Sequence, residues 1–126
     1  LCVDDDLRVL TGLARILGAD FDVSTVDNAA EAITLSGSSA PFEVVITDLK
    51  MPNMDGIDLL RWFGVNSPDT CGILYSGRAD LNTIADALNA GHIYRFLNKP
   101  CLPAELLNAV RAGHDKYCTE TTTRLL

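Results

Sequence analysis

No stretch of this 126-residue chain approaches the ~20 consecutive apolar residues of a membrane-spanning helix, and no signal peptide is visible. Membrane association is therefore not expected. Positive charge is scarce too. Ten Lys and Arg against 17 Asp and Glu leave a net charge of −7, with no basic cluster. Direct nucleic-acid contact by this domain is therefore not expected, and the acidic surface reads as a solubility device. The 4 cysteines, Cys2, Cys71, Cys101 and Cys118, form no Cys-x-x-Cys, and only His92 and His114 could join them in a zinc site. Cys2 and Cys71 sit in strand-like runs and read as small buried apolar residues, reduced as in a cytosolic protein. Repeats and low-complexity segments are missing as well. The chain opens at Leu1 inside an apparent strand, so residues upstream are expected.

The residues that are present suit one domain with a real core. Apolar residues make up 48% of the chain, and about 65–70% of the unfolded surface can be buried at this length. Val44-Val45-Ile46-Thr47-Asp48 organises the rest. A short unalternated apolar run bounded by turn signals reads as a strand buried on both faces. Pro52 and Asp55-Gly56 end the run and open a loop. Asp48 is thus expected at the carboxyl end of a central parallel strand, where open α/β sheets place their ligand crevices.

Similar runs recur. Leu1-Cys2-Val3 ends a strand and is followed by Asp4-Asp5-Asp6. A helix through Leu7, Leu10, Ala14 and Leu17 closes at Gly18. Phe21 to Val26 reads as a second strand, and Asp27 or Asn28 as the cap of a helix through Ala29, Ala32, Ile33 and Leu35. Ile57, Leu60 and Phe63 mark a third helix. Gly72 to Tyr75 is a fourth strand ending in Ser76-Gly77. Asp80 is expected to cap a helix with Leu81, Ile84, Ala85 and Leu88 on one face, ended by Asn89 and Gly91. Ile93 to Leu97 is a fifth strand, ending in Asn98-Lys99-Pro100. Pro103 opens a last helix with Leu106, Leu107 and Val110 inward. Residues 1–118 read as the domain, and 119–126 as a tail or the start of a linker to an output domain. Strict strand–helix alternation argues for a doubly wound parallel sheet with helices on both faces.

In such a sheet the strand ends share one edge. Asp4-Asp5, Asp48, Ser76 and Lys99 therefore meet in one crevice. Each alone has a plain reading: acids favour a helix N-terminus, Ser before Gly is a turn, lysine is a solvated surface charge. Those readings leave their coincidence unexplained. Clustered carboxylates need a counter-charge, which a hard divalent cation supplies. The chemistry fits phosphoryl transfer with Asp48 as nucleophile, Lys99 as a mobile point charge and Ser76 as a hydroxyl donor.

Val3-Asp4-Asp5-Asp6, Thr47-Asp48 through Met51-Pro52-Asn53-Met54-Asp55-Gly56, Ser76-Gly77 and Lys99-Pro100 resemble, in order and spacing, the receiver domains of two-component response regulators. The likeness covers essentially the full chain. It implies a five-stranded (βα)5 flavodoxin-like sheet in the order 2-1-3-4-5. It implies that Asp48 is the phosphoacceptor for a histidine kinase or phosphotransfer protein, and that Mg2+ or Mn2+ is held by Asp5, Asp48 and the backbone carbonyl of Lys50, with Asp4 acting through water. Lys99 and Ser76 become the phosphoryl-contacting lysine and the switch hydroxyl. Phe96 takes the place of the switch aromatic, without the hydroxyl often found there. The Lys99-Pro100 bond is expected to be cis. Lys50 and Arg78 stand where side chains tune hydrolysis of the acyl phosphate, and two cations there predict slow self-hydrolysis. The resemblance also implies a cytoplasmic bacterial signalling module, not a turnover enzyme. It further implies a linked output domain, with Ile93 to Pro100 similar to receivers before HD-type cyclic-di-GMP phosphodiesterases or on transcriptional activators. A phosphorylation-dependent homodimer through the fourth helix, fifth strand and fifth helix is a further expectation. Two alternatives compete with this reading. A haloacid-dehalogenase-type phosphatase needs a second acid where Lys50 stands. An interaction module keeping the fold without phosphorylation should have lost part of the Asp4, Asp5, Asp48, Ser76, Lys99 set.

Overall fold

The structure, a computed structural model, describes residues 1–77, 81–89 and 93–125. The expectations placed on Arg78, Asp80, Gly91, His92 and Leu126 lie outside these residues. Strands β1 (Cys2–Val3), β2 (Thr25–Val26), β3 (Val44–Thr47), β4 (Cys71–Ser76) and β5 (Arg95–Asn98) alternate with helices α1 (Leu7–Leu17), α2 (Ala29–Ser38), α3 (Gly56–Asn66), α4 (Leu81–Asn89) and α5 (Pro103–Leu125). The strands form one parallel sheet in the order β2-β1-β3-β4-β5. The strand–helix alternation and the strand order implied by the resemblance both hold.

Side chains alternate across the strands, so each face has its own core. Val3, Val45 and Leu74 point to the face covered by α2, α3 and α4, through Ala29, Ala32, Leu59, Phe63, Ile84 and Ala87. Cys2, Ile46 and Ile73 point to the other, covered by α1 and α5 through Leu10, Leu13, Leu17, Leu106 and Val110. The helix starts follow local chemistry. Asp6 caps α1 by accepting from the Arg8 N–H, Asn28 caps α2 through Glu31, and Asp55 caps α3 through Asp58.

Four local expectations change. The fifth strand runs over Arg95–Asn98 rather than from Ile93 to Leu97, paired to Ile73–Ser76 of β4. The second strand shrinks from Phe21–Val26 to Thr25–Val26, because β1 offers only Cys2 and Val3 as ladder partners and β2 lies at the sheet edge. In α1 the buried stripe is Leu10, Leu13 and Leu17, and Leu7, in the first turn, is exposed. In α4 the inward pair is Ile84 and Ala87, one turn apart. Leu81, Ala85 and Leu88 share the outward stripe, with Leu81 80% exposed. Periodicity finds an apolar stripe but does not say whether it meets the sheet.

The last helix runs without a break through residue 118 to Leu125. Its final turns are fixed to the α3–β4 loop. The Arg124 guanidinium donates to both carboxylate oxygens of Asp69, at 2.9 and 3.1 Å, and the Thr121 hydroxyl adds a longer bond at 3.5 Å. No helix among the described residues is long and apolar enough to cross a membrane.

Candidate functional site: an acidic crevice at the carboxyl edge of the sheet

Register assembles the crevice. Val3 pairs with Thr47, so Asp4 and Asp48 leave adjacent strands side by side. Ser76 pairs with Asn98, which puts Lys99 one residue past the last rung. Oxygens of Asp4, Asp5 and Asp48 lie within 4.8 Å of one another. Lys99 Nζ bridges two of the carboxylates, at 2.6 Å from Asp4 Oδ2 and 3.4 Å from Asp48 Oδ1. Asp4 is buried, Asp48 half-buried and Asp5 exposed. The acids therefore grade from the sheet's interior to the crevice mouth.

Backbone groups hold the carboxylates in place. Asp4 Oδ1 accepts from the Asp6 N–H at 2.9 Å, and Asp48 Oδ1 from the Leu49 N–H at 2.9 Å. The buried Thr47 hydroxyl donates to the Asp48 carbonyl at 3.0 Å. The loop after Asp48 folds back so that the Gly56 N–H reaches the Leu49 carbonyl at 2.9 Å. Asn53, at φ 73°, takes the left-handed turn in this loop, a conformation asparagine tolerates. Ser76 ends β4, is buried, and its carbonyl accepts from the Lys99 N–H at 3.2 Å. The Lys99-Pro100 bond is cis. Lys50 is exposed in the loop beyond Asp48, and Phe96 is half-buried against the core on the α2–α4 face. Arg78 lies outside the described residues.

Two contacts carry no mark in the sequence. The Lys99 ammonium stands 5.5 Å from the centre of the Tyr75 ring, within cation–π range. Strand alternation could have placed that ring on the face opposite Ser76, but nothing paired it with Lys99. Thr47 reads in the sequence as a strand residue and as part of the matching run, with nothing to show that its hydroxyl bonds the Asp48 carbonyl.

Both partners of the central bridge hold their protons more tightly than in water. For Asp4, burial raises the pKa, and the Lys99 ammonium only partly offsets it. For Lys99, burial pulls down, but the Asp4 and Asp48 carboxylates pull up more strongly. A simple ion pair would lower its acid. Here burial of Asp4 outweighs the pull of Lys99 and of the Asp6 N–H, and the Asp48 carboxylate adds a smaller push in the same direction. Two shifts in the same direction act on stability in opposite ways. Lys99, raised in the fold, contributes stability that is complete below its unfolded pKa of about 10.4 and lost as pH rises through the folded value. Asp4, also raised, acts against folding once the pH exceeds the ordinary carboxylate value of about 3.9. Lys99→Met is therefore expected to flatten the fall in urea midpoint above about pH 10. An unchanged alkaline slope in Lys99→Met would remove Lys99 as its cause.

The donor set suits a hard divalent cation: carboxylate oxygens only, a deficit of positive charge and an open side at Asp5. Both Asp4 oxygens already accept bonds, one from Asp6 N–H and one from Lys99.

Comparison with known proteins agrees with this geometry. The family model for the response regulator receiver domain matches residues 1–111. The chain is 34% identical over 111 residues to the hydrogenase transcriptional regulatory protein HoxA of Cupriavidus necator, covering 88% of this chain and 23% of that protein. It is 35% identical over 116 residues to the C4-dicarboxylate transport transcriptional regulatory protein DctD of Rhizobium meliloti, covering 90% and 25%. The chain thus spans about a quarter of the length of these curated relatives. Among solved structures, the signal receiver domain of an HD domain-containing protein from Pseudomonas fluorescens superposes with a TM-score of 0.89 at 34% identity, covering 96% of this chain and 89% of that one. A structure described as adenylate cyclase from Rhodopirellula baltica gives 0.93 at 36% identity, covering 98% and 91%.

Proposed function

The chain belongs to the response regulator receiver domain family, and from that premise we propose that it accepts a phosphoryl group on Asp48 and passes the change on to a linked output domain. A receiver domain is a signalling module rather than a turnover enzyme. The observation that carries the proposal is the convergence of Asp4, Asp5 and Asp48, with the Lys99 ammonium bridging Asp4 and Asp48.

A carboxylate oxygen of Asp48 attacks the phosphorus of a phosphohistidine on a histidine kinase or phosphotransfer protein. The oxygen–phosphorus bond forms, the nitrogen–phosphorus bond breaks, and the histidine leaves. Lys99, already 3.4 Å from Asp48, moves its charge towards the incoming phosphoryl oxygens. Asp5, Asp48 and the Lys50 carbonyl would hold Mg2+ or Mn2+ directly. Asp4, with both oxygens engaged, suits a hold through water. When bound, the ion supplies the positive charge the crevice lacks.

Ser76 is the hydroxyl proposed to close on the phosphoryl group, drawing the loop between β4 and α4 with it. Phe96 is proposed to respond by packing deeper, since it has no hydroxyl to place. Lys50 and Arg78 are proposed to slow hydrolysis of the acyl phosphate. The exposed Leu81 and Leu88 on α4, with Leu102 before α5, favour a phosphorylation-dependent homodimer through α4, β5 and α5. The similarity to receivers of a transcriptional regulatory protein and of an HD domain-containing protein leaves those two output types in view. A module serving such a kinase works in the cytoplasm.

The test uses a small phosphodonor. Incubation with acetyl phosphate and Mg2+ is expected to add one phosphoryl group to the intact protein, and a chelator to prevent it. No gain in mass under any divalent cation would support the module that works without phosphorylation. Mg2+ alone is also expected to raise the unfolding midpoint, by about 1.4 kcal/mol of stability at tenfold above its Kd. Asp5→Asn should abolish that rise, and persistence of the rise in the variant would remove Asp5 from the metal site.

A further inference from the structure

At the opposite edge of the sheet from the acidic crevice, three chemistry-bearing side chains line up. Gly113 lets α5 lie close on β3: a Cβ there would stand 3.0 Å from Val44 Cγ2. That approach brings the next residue, His114, against Glu43, the neighbour of Val44. His114 Nδ1 is in hydrogen-bond contact with Glu43 Oε2. Its other ring nitrogen, Nε2, faces Cys118 Sγ one helical turn on, at 3.8 Å. The carboxylate selects the tautomer with the proton on Nδ1, so that Nδ1–H donates to Glu43 and Nε2 accepts from the thiol. This is the order nucleophile, base, orienting acid.

The rest of the surroundings single out this thiol. Cys2 and Cys71 are buried, Cys101 is half-buried, and Cys118 alone is exposed. Burial pushes the other three thiols up. Among the charged neighbours, Lys116 pairs with Glu120 on α5 and Arg111 with Asp20 beyond α1. His114 and Glu43 also form part of the wall of a cavity of about 530 Å³ whose other sides include Leu17, Phe21 and Val110. An apolar small molecule has room beside the relay.

We propose that Cys118, with His114 as its base and Glu43 as the residue positioning that base, is a thiol–disulfide exchange site for low-molecular-weight disulfides. His114 Nε2 takes the thiol proton. The Sγ thiolate attacks one sulfur of the disulfide, the new S–S bond forms as the old one breaks, and the departing thiolate takes the proton back from His114. One thiol and one disulfide enter, and one thiol and one mixed disulfide leave, with no other oxidant needed. A reducing thiol reverses the step, so the adduct on α5 is removable.

The experiment reacts the whole chain with excess dithiodipyridine, a neutral aromatic disulfide whose released thione absorbs light, and maps the labelled peptide. Cys118 is expected to react first. His114→Asn and Glu43→Gln are each expected to slow that reaction about tenfold near pH 7. Both should leave the rate unchanged in strong base, where hydroxide replaces the imidazole as proton acceptor, so the pH profiles of variant and wild type differ in shape. Glu43→Gln changes one exposed oxygen and decides the matter if His114→Asn does not fold. Identical pH profiles in wild type and variant, or labelling of Cys101 before Cys118, would overturn the relay.

Discussion

Asp48→Asn is expected to leave the protein at its unmodified mass after incubation with acetyl phosphate and Mg2+, under conditions that phosphorylate the wild type fully. The loss should be complete, because the amide oxygen of asparagine is a poor nucleophile and nothing beside it is placed to replace it. Asp5 is exposed at the crevice mouth, and Asp4 is buried with both oxygens accepting hydrogen bonds. The variant should nevertheless fold. Asparagine's carbonyl oxygen can still accept from the Leu49 N–H, the bond that holds Asp48 Oδ1 now. Lys99 keeps its shorter bridge to Asp4. Removing one of three carboxylates relieves repulsion in a crevice short of positive charge, so the unfolding midpoint should stay or rise. A variant that still gains a phosphoryl group would move the acceptor elsewhere. A variant that unfolds would mean the carboxylate has a structural role not visible in its contacts.

Gly56→Ala is expected to destabilise the fold by about 3 kcal/mol, with an unfolding temperature about 10 °C lower. Gly56 begins α3 with no unusual dihedral, so the reason is space alone. A Cβ there would lie 2.1 Å from the Asp48 carbonyl oxygen and 3.1 Å from Leu74 Cδ1. The oxygen is backbone, held by the Thr47 hydroxyl, and the loop is closed by the Gly56 N–H on Leu49. Relief requires pushing Asp48, the proposed phosphoacceptor, out of place, so phosphorylation should slow as stability falls. Gly64, also in α3, has nothing within 4 Å of a Cβ. Gly64→Ala should be neutral or gain up to about 1 kcal/mol. Urea unfolding of the pair checks both values. If Gly56→Ala matches wild type to within about 0.5 kcal/mol, the close approach has no energetic weight.

The crevice was legible because its residues stand at strand ends, and strand ends are marked by abrupt changes in the chain: Val3 to Asp4, Thr47 to Asp48, Leu97 to Lys99. Parallel strands bring such positions to one edge without any knowledge of side-chain contacts. The strand order was not legible in this way and came from the resemblance, since periodicity does not say which strands are neighbours. The α4 face reads wrongly in the sequence for a physical reason. Leu81 and Leu88 carry most of the helix's apolar surface, so a count of large side chains turns them inward, yet Ile84 and Ala87 meet the sheet. A surface leucine stripe and a core stripe look alike in one dimension. The Lys99–Asp4 bridge was only half visible. Both residues were assigned to the crevice, but the bond of 2.6 Å spans 95 positions. The contact of His114 with Glu43 was not visible at all, because it depends on how closely Gly113 lets α5 approach Val44.

The most direct test of the central claim is the identity of the residue that carries the phosphoryl group. Borohydride reduces an acyl phosphate to the alcohol and leaves free carboxylates alone. After phosphorylation in Mg2+, reduction and peptide sequencing, residue 48 should read as homoserine while residues 4, 5 and 55 read as aspartate. Homoserine at any other position, or aspartate at residue 48 in protein shown to carry the added mass, would contradict the account.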